Sequence, residues 1–197
     1  MEITSGMVKE LRERTNVGMM DCKKALQDSC GNIEQAVDLL RQKGLAKAMK
    51  RATREAANGL VHSYIHNGGK IGVLVEVNCE TDFAAKSEDF GEFIRNVALQ
   101  IAAANPLGIN PEDIPQDIVE RERAIYLAQA KESGKPQNIL EKMIDGKMRK
   151  FYEENLLMQQ KYIRDPDKTI QDYLNELIAK IGEKIQVRRF CRYQLGE

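Results

Sequence analysis

No stretch of this sequence approaches the ~18 consecutive apolar residues that a bilayer-crossing helix needs, so no membrane partner is expected. The N-terminal segment has no signal-peptide core and is too acidic for a transit peptide, which leads us to expect a mature chain in a bacterial cytoplasm or inside a plastid or mitochondrion. Net charge is also lacking. Thirty Lys plus Arg face 30 Asp plus Glu, so no long-range field favours nucleic acid or anionic lipid. The four cysteines (Cys22, Cys30, Cys79, Cys191) form no CxxC pair and no zinc spacing, and in a reducing compartment they are expected as free thiols. Histidine is scarce. His62 and His66 could share a strand face, but no cysteine or carboxylate completes a metal set beside them, so they read as ordinary polar positions. GxSxG, HExxH and GxxxxGK[ST] are all missing. The residues therefore give no active-site chemistry, no cofactor and no metal site.

What is present is enough for a real core. The chain has 197 residues, 42% hydrophobic and 30% charged, which fits one or two small domains. A fold of this size buries roughly 70% of its unfolded surface. The first ~55 residues read as short helices with clear punctuation. Ser5 can cap a helix carrying Met7, Val8 and Leu11 and ending near Thr15. Asn16, Val17 and Gly18 signal a turn. A second helix carries Met19, Met20, Cys22, Ala25 and Leu26, and Gly31 stops it. Asn32 can cap a third with Ile33, Ala36, Val37 and Leu40 on one face, ending at Gly44. Helices this short must pack together to be stable. Residues 45–58 are alanine-rich and basic (Lys47, Lys50, Arg51, Arg54) and read as a connecting helix.

The period then changes. Residues 59–66 and 70–78 flank Asn67, Gly68 and Gly69, and the second run is rich in valine and isoleucine, so together they predict a β-hairpin. Helical spacing returns over 87–105. Pro106, Pro111 and Pro115 mark an irregular connection. Helices are expected over 116–131, 136–157 and 169–181, the last closed by Gly182. Residues 184–195 alternate as a final strand that can join the hairpin in one antiparallel sheet. The predicted class is α+β. The predicted domains are a helical unit over 1–55 with its linker, and an α+β core over 56–197.

Two places suggest binding. Adjacent Met19 and Met20 cannot both face one small helical core, so they either form an adaptable exposed patch or tuck into the helix junction. The segment from Asn78 to Lys86 lies where the strongest strand gives way to helix. Asp82 fits an N-cap there. Read from residue types alone, Phe83 fits a core position under the sheet better than an exposed one.

Three segments carry a family resemblance. VKELRERT at 8–15 with GMMDCKKAL at 18–26, EVNCETDF at 76–83, and IGEKI at 181–185 followed by VRRF at 187–190 resemble, in order, signatures of the elongation factor Ts family. The resemblance spans essentially the whole chain. It implies that residues 1 to about 55 form a three-helix domain similar to ubiquitin-associated domains, and GNIEQAV at 31–37 is compatible with that. It implies a partner, elongation factor Tu, bound in its GDP and nucleotide-free forms, and the function of a guanine-nucleotide exchange factor rather than an enzyme. Phe83 would wedge between helices of the GTPase, Asp82 would anchor the segment and Thr81 would shape its turn. Val17, Met19, Met20 and Lys23 would hold the nucleotide-binding domain from another side. The family usually has valine after the phenylalanine. Ala84 stands there instead, with less apolar area, worth ~1 kcal/mol if buried. The chain is short beside members with two core subdomains, so a homodimer is a further expectation. Two readings of Cys191 are open, a position near the dimer axis and a buried thiol, and the buried thiol is the plainer expectation. The alternative is an adaptor that uses the helical unit and ignores nucleotide, but it gives the Thr81–Phe83 segment nothing to do. An RNA-binding protein using the basic linker is less favoured, because that linker has no aromatic stacking positions.

Overall fold

The structure, a computed structural model, describes residues 3–15, 17–132 and 136–197. Asn16 of the expected turn lies outside them.

The chain opens with helix α1 (Ser5–Thr15), α2 (Met19–Asp28) and α3 (Ile33–Arg51). The cap of α1 is Thr4 rather than Ser5: the Met7 N–H donates to Thr4 Oγ1 at 3.3 Å, and Ser5 is already helical. After α2, Cys30 (φ 51°) and Gly31 (φ 86°) reverse the chain, and the Gly31 N–H returns to the Leu26 carbonyl at 2.8 Å. Asn32 caps α3 by accepting from the Gln35 N–H at 3.0 Å. Leu11, Cys22, Ala25, Leu26, Ala36 and Leu40 form the core shared by the three helices.

One expected boundary is wrong. Gly44 does not end α3, and there is no separate connecting helix over 45–58. The helix continues to Arg51 and residues 52–57 are irregular. A Cβ at Gly44 would stand 3.4 Å from the Ala179 Cβ of α8 (Ile170–Ile181). The glycine therefore permits a close helix approach and does not act as a stop. Arg41 of α3 pairs with Asp172 of α8 at 3.1 Å, beside the same approach.

Strands β1 (Asn58–Ile65) and β2 (Ile71–Cys79) form the expected hairpin around the Asn67–Gly69 turn. The final strand β5 (Ile185–Gln194) joins it, in the order β1-β2-β5. The Leu195 N–H reaches the Lys70 carbonyl at 2.8 Å, so β5 ends where β2 begins and the two run antiparallel. In β2 the alternate residues Val73, Val75, Val77 and Cys79 are buried, as period-2 patterning requires. Gly59 is needed where it stands: a Cβ there would meet the Val77 carbonyl oxygen at 2.1 Å. Helix α5 (Glu88–Ala104) supplies Phe90, Phe93, Ile94, Val97 and Ile101 to the core. A one-turn helix, α4 (Asp82–Ala85), precedes it. The fold is α+β.

Helices α6 (Gln116–Lys131) and α7 (Gln137–Asn155) pack on each other through Ala130, Ile144, Met148 and Phe151. A short antiparallel pair follows, β3 (Lys161–Tyr162) with β4 (Asp165–Thr169), which the sequence did not announce. The chain divides into two compact units. One comprises residues up to Val61 with Glu76–Ile94 and Asp172–Arg188. The other comprises His62–Val75, Arg95–Gln171 and Arg189–Glu197.

Among the described residues, no helix is long and apolar enough to cross a membrane. Cys22 and Cys79 are buried, Cys30 is exposed, and Cys191 is half-buried rather than buried. Beside it the Arg192 side chain is nearly buried, and its Nε donates to the Ala102 carbonyl at 3.3 Å.

Candidate partner-binding surface

The segment after β2 is built from its ends. Its N-cap is Thr81, not the expected Asp82: the Ala84 N–H donates to Thr81 Oγ1 at 3.3 Å, and Asp82 is the first helical residue. Thr81 prevails because its hydroxyl reaches that N–H from an extended backbone (φ −130°, ψ 158°). At the other end, Ser87 Oγ donates to the Ala84 carbonyl at 2.7 Å and accepts from the Phe90 N–H at 3.3 Å, handing α4 over to α5. With one turn of helix there are only two inward positions. Ala84 and Ala85 take them, at 5% and 4% exposure. Asp82 and Phe83 are therefore turned outward, and Phe83 is 89% exposed. The core position suggested by residue type alone is overturned for this reason. Leaving a phenylalanine in water forgoes about 1.5–3 kcal/mol of burial that folding could have used. Asp82 carries its own cation, Lys86 Nζ at 2.8 Å, both groups being well exposed.

Behind this turn lies a set of polar contacts. Glu183 accepts from the Thr81 N–H at 2.9 Å and from the Thr81 hydroxyl at 2.6 Å. Glu80 accepts from the Lys184 N–H at 2.6 Å and pairs with Arg54 at 3.2 Å. That N–H and the Arg54 guanidinium hold the Glu80 carboxyl below its ordinary value, against a smaller opposing effect of desolvation. Burial, and secondarily the Glu183 carboxylate, pushes the Cys79 thiol up, so it stays protonated and unreactive.

The second surface is on α2. Cys22, Ala25 and Leu26 occupy its inward face, which leaves Met19 57% and Met20 77% exposed. Lys23, also exposed, lies one helical turn from both, so these three side chains share one patch. Val17 is half-buried against the three-helix core. Gly18 gives α2 no side-chain cap. The methionine patch and Phe83 project from different elements of the same unit.

No three His, Cys, Asp or Glu among the described residues are grouped to hold a metal ion. His62 is shifted to a lower pKa by burial and by Arg95, and His66 Nδ1 lies 3.1 Å from the Tyr64 hydroxyl. What the surfaces offer is exposed apolar area with a few charges beside it, which suits binding a macromolecule. The sequence reading gave Glu80, Arg54 and Glu183 no part in this contact set, although Glu80 lies in the second motif, Arg54 in the basic linker and Glu183 in the third motif.

Residues 8–197 match the family model described as elongation factor TS. The chain belongs to the elongation factor Ts family. It is 77% identical over 196 residues to the elongation factor Ts of Syntrophobacter fumaroxidans (strain DSM 10017 / MPOB), covering 100% of this chain and 98% of that one. It is 62% identical to that of Desulfosudis oleivorans (strain DSM 6200 / JCM 39069 / Hxd3), covering 99% and 98%. To that of Geotalea uraniireducens (strain Rf4) it is 58% identical, covering 100% and 91%. Membership of the elongation factor Ts family places the chain among the elongation factors of protein biosynthesis.

Proposed function

We propose that this chain is the guanine-nucleotide exchange factor of elongation factor Tu and has no reaction chemistry of its own. The observation that carries this reading is the Phe83 ring, held outward on a one-turn helix whose inward positions are alanines. GDP on such a GTPase is held by a phosphate loop and by Mg²⁺, an ion that demands near-octahedral oxygen geometry. A small displacement of the elements that support the ion therefore costs the nucleotide much of its affinity. Phe83 enters between helices of the GTPase and makes that displacement, and Asp82 anchors the segment by polar contacts once it leaves Lys86. Thr81 and the buried Ala84 hold the turn from below. Met19, Met20 and Lys23, with Val17 beneath them, grip the nucleotide-binding domain from a second side.

Linkage fixes the cycle. If the factor weakens GDP binding by some ratio, GDP weakens factor binding by the same ratio. The factor binds, nucleotide leaves, and returning nucleotide expels the factor, with cellular concentrations choosing between GDP and GTP. The bacterial sources of the relatives favour a cytoplasmic location. Exposed Ile65, Leu74, Tyr193 and Leu195 in the second unit favour pairing of two chains through that apolar area. Light scattering that returns a monomer at working concentration would count against the pairing.

The test of the exchange reading is a pair of affinities. Titration calorimetry should give much tighter binding to nucleotide-free elongation factor Tu than to the GDP-saturated form. Equal affinities would mean that the chain only docks. That result would favour the adaptor reading, in which the exposed methionines serve a partner and nucleotide plays no part.

A further inference from the structure

The third sequence motif has so far had no task. Two of its charged residues, Glu183 and Lys184, follow Gly182, whose left-handed backbone (φ 85°) ends α8 and turns the chain toward the end of β2. There the two strand ends are tied reciprocally. Glu80, at the end of β2, accepts from the backbone N–H of Lys184, and Glu183, just before β5, accepts from the backbone N–H of Thr81. Each carboxylate thus fixes the other strand's main chain beyond the last rung of the sheet. The Glu183 half goes further. Its second oxygen accepts a hydrogen bond from the Thr81 hydroxyl at 2.6 Å, while that same hydroxyl oxygen accepts from the Ala84 N–H. A carboxylate accepting both bonds fixes the rotamer of Thr81, and Thr81 fixes the first turn of α4. Phe83 lies two residues along that turn. Lys184 adds a brace by donating from Nζ to the Arg54 carbonyl at 2.7 Å, and the Asn58 amide donates to the Glu80 carbonyl at 2.7 Å.

We infer that Glu183 is a positioning residue for nucleotide exchange: its two-point hold on Thr81 aims Phe83 at the GTPase. This rests on the exchange reading above. An exposed ring on a single helical turn has almost no packing to direct it, so its direction must come from the turn. Preorganising it spares the entropy of ordering the ring on binding. Glu183 makes this contribution without touching the partner.

The test is a double-mutant cycle on GDP release from elongation factor Tu, using Glu183→Gln, Phe83→Ala and the double variant, with thermal melts to verify folding. Glutamine keeps the shape but has one accepting oxygen, so one of the two charge-assisted bonds is lost. The expected result is release slowed about tenfold by Glu183→Gln, and no further slowing by it in the Phe83→Ala background. A purely structural role would slow both backgrounds equally, and that result overturns the inference. Wild-type release by Glu183→Gln, with Phe83→Ala still slow, also overturns it while leaving the exchange reading intact. A wild-type chain that fails to speed release removes both. If Glu183→Gln does not fold, Thr81→Val replaces it in the same cycle, since it removes the shared hydroxyl from the other side, and the same outcomes apply.

Discussion

Phe83 and the Met19–Met20 pair are both exposed apolar side chains of one compact unit, yet they are mounted in opposite ways. Phe83 stands on a single turn of helix, which could not hold a shape alone, and Thr81, Glu183 and Ser87 fix that turn by hydrogen bonds. The methionines stand on a regular ten-residue helix anchored by Cys22, Ala25 and Leu26, but at its uncapped first turn and with flexible thioether side chains. One is a rigid ring on a braced support. The other is an adaptable pair on a support that braces itself. On the exchange reading proposed above, the difference in mounting predicts different work: the ring is placed to act as a wedge, and the pair to accommodate a surface. The first should govern how fast nucleotide leaves, and the second how tightly the partner is held.

The comparison breaks most sharply beneath the surface. Leu26→Ala, under the methionine patch, should cost about 2–5 kcal/mol of unfolding free energy in urea, because it opens a cavity among three helices. Phe83→Ala should shift the same curve by less than about 0.5 kcal/mol, since the ring is already in water. A large loss from Phe83→Ala would mean that the ring supports the fold. Next in size, replacing Met19 and Met20 together by alanine should raise the half-saturating concentration for exchange about fivefold, as loss of ~1 kcal/mol of burial would, with the maximal rate unchanged. A lowered maximal rate at unchanged saturation would reverse the division of labour. The smallest effect concerns the brace. Because the native state holds the Glu80 carboxyl below its ordinary value, its contribution is present in full above the unfolded value and is lost as pH falls through the native one. Glu80→Gln should therefore lower the neutral plateau of a stability-versus-pH curve slightly and converge on the wild type as pH falls through the native value, which flattens the acid limb.

The parts of this fold that were legible in the sequence are those set by local pattern. The β1–β2 hairpin follows from a glycine turn ahead of a run rich in valine and isoleucine, and α5, α6, α7 and α8 follow from apolar period and their terminal residues. Gly44 misled because a glycine reads as a stop wherever its neighbour is invisible, and its neighbour, Ala179, is far away in sequence. The β3–β4 pair was illegible for a similar reason. Asp165–Thr169 contains a proline and two aspartates, poor strand formers. The β3 side is fixed by the buried Gln100 amide, which donates to the Lys161 carbonyl at 3.2 Å and accepts from the Ile163 N–H at 3.0 Å, and past β4 the Ile170 N–H returns to the Gln160 carbonyl at 3.1 Å. At the candidate site, residue types alone argued for a buried Phe83. Only the two alanines filling the inward positions reverse that. The Thr81–Glu183 contact joins residues 102 apart, so no local reading could reach it.

The most direct test of the central claim is stopped-flow release of a fluorescent GDP analogue from elongation factor Tu at fixed Mg²⁺ and saturating factor. The wild-type chain should accelerate release. Phe83→Ala, equally folded, should be at least about tenfold slower, and the double methionine variant should match the wild type at saturation. If Phe83→Ala accelerates release as well as the wild type, the ring is not the wedge and the account of this surface fails.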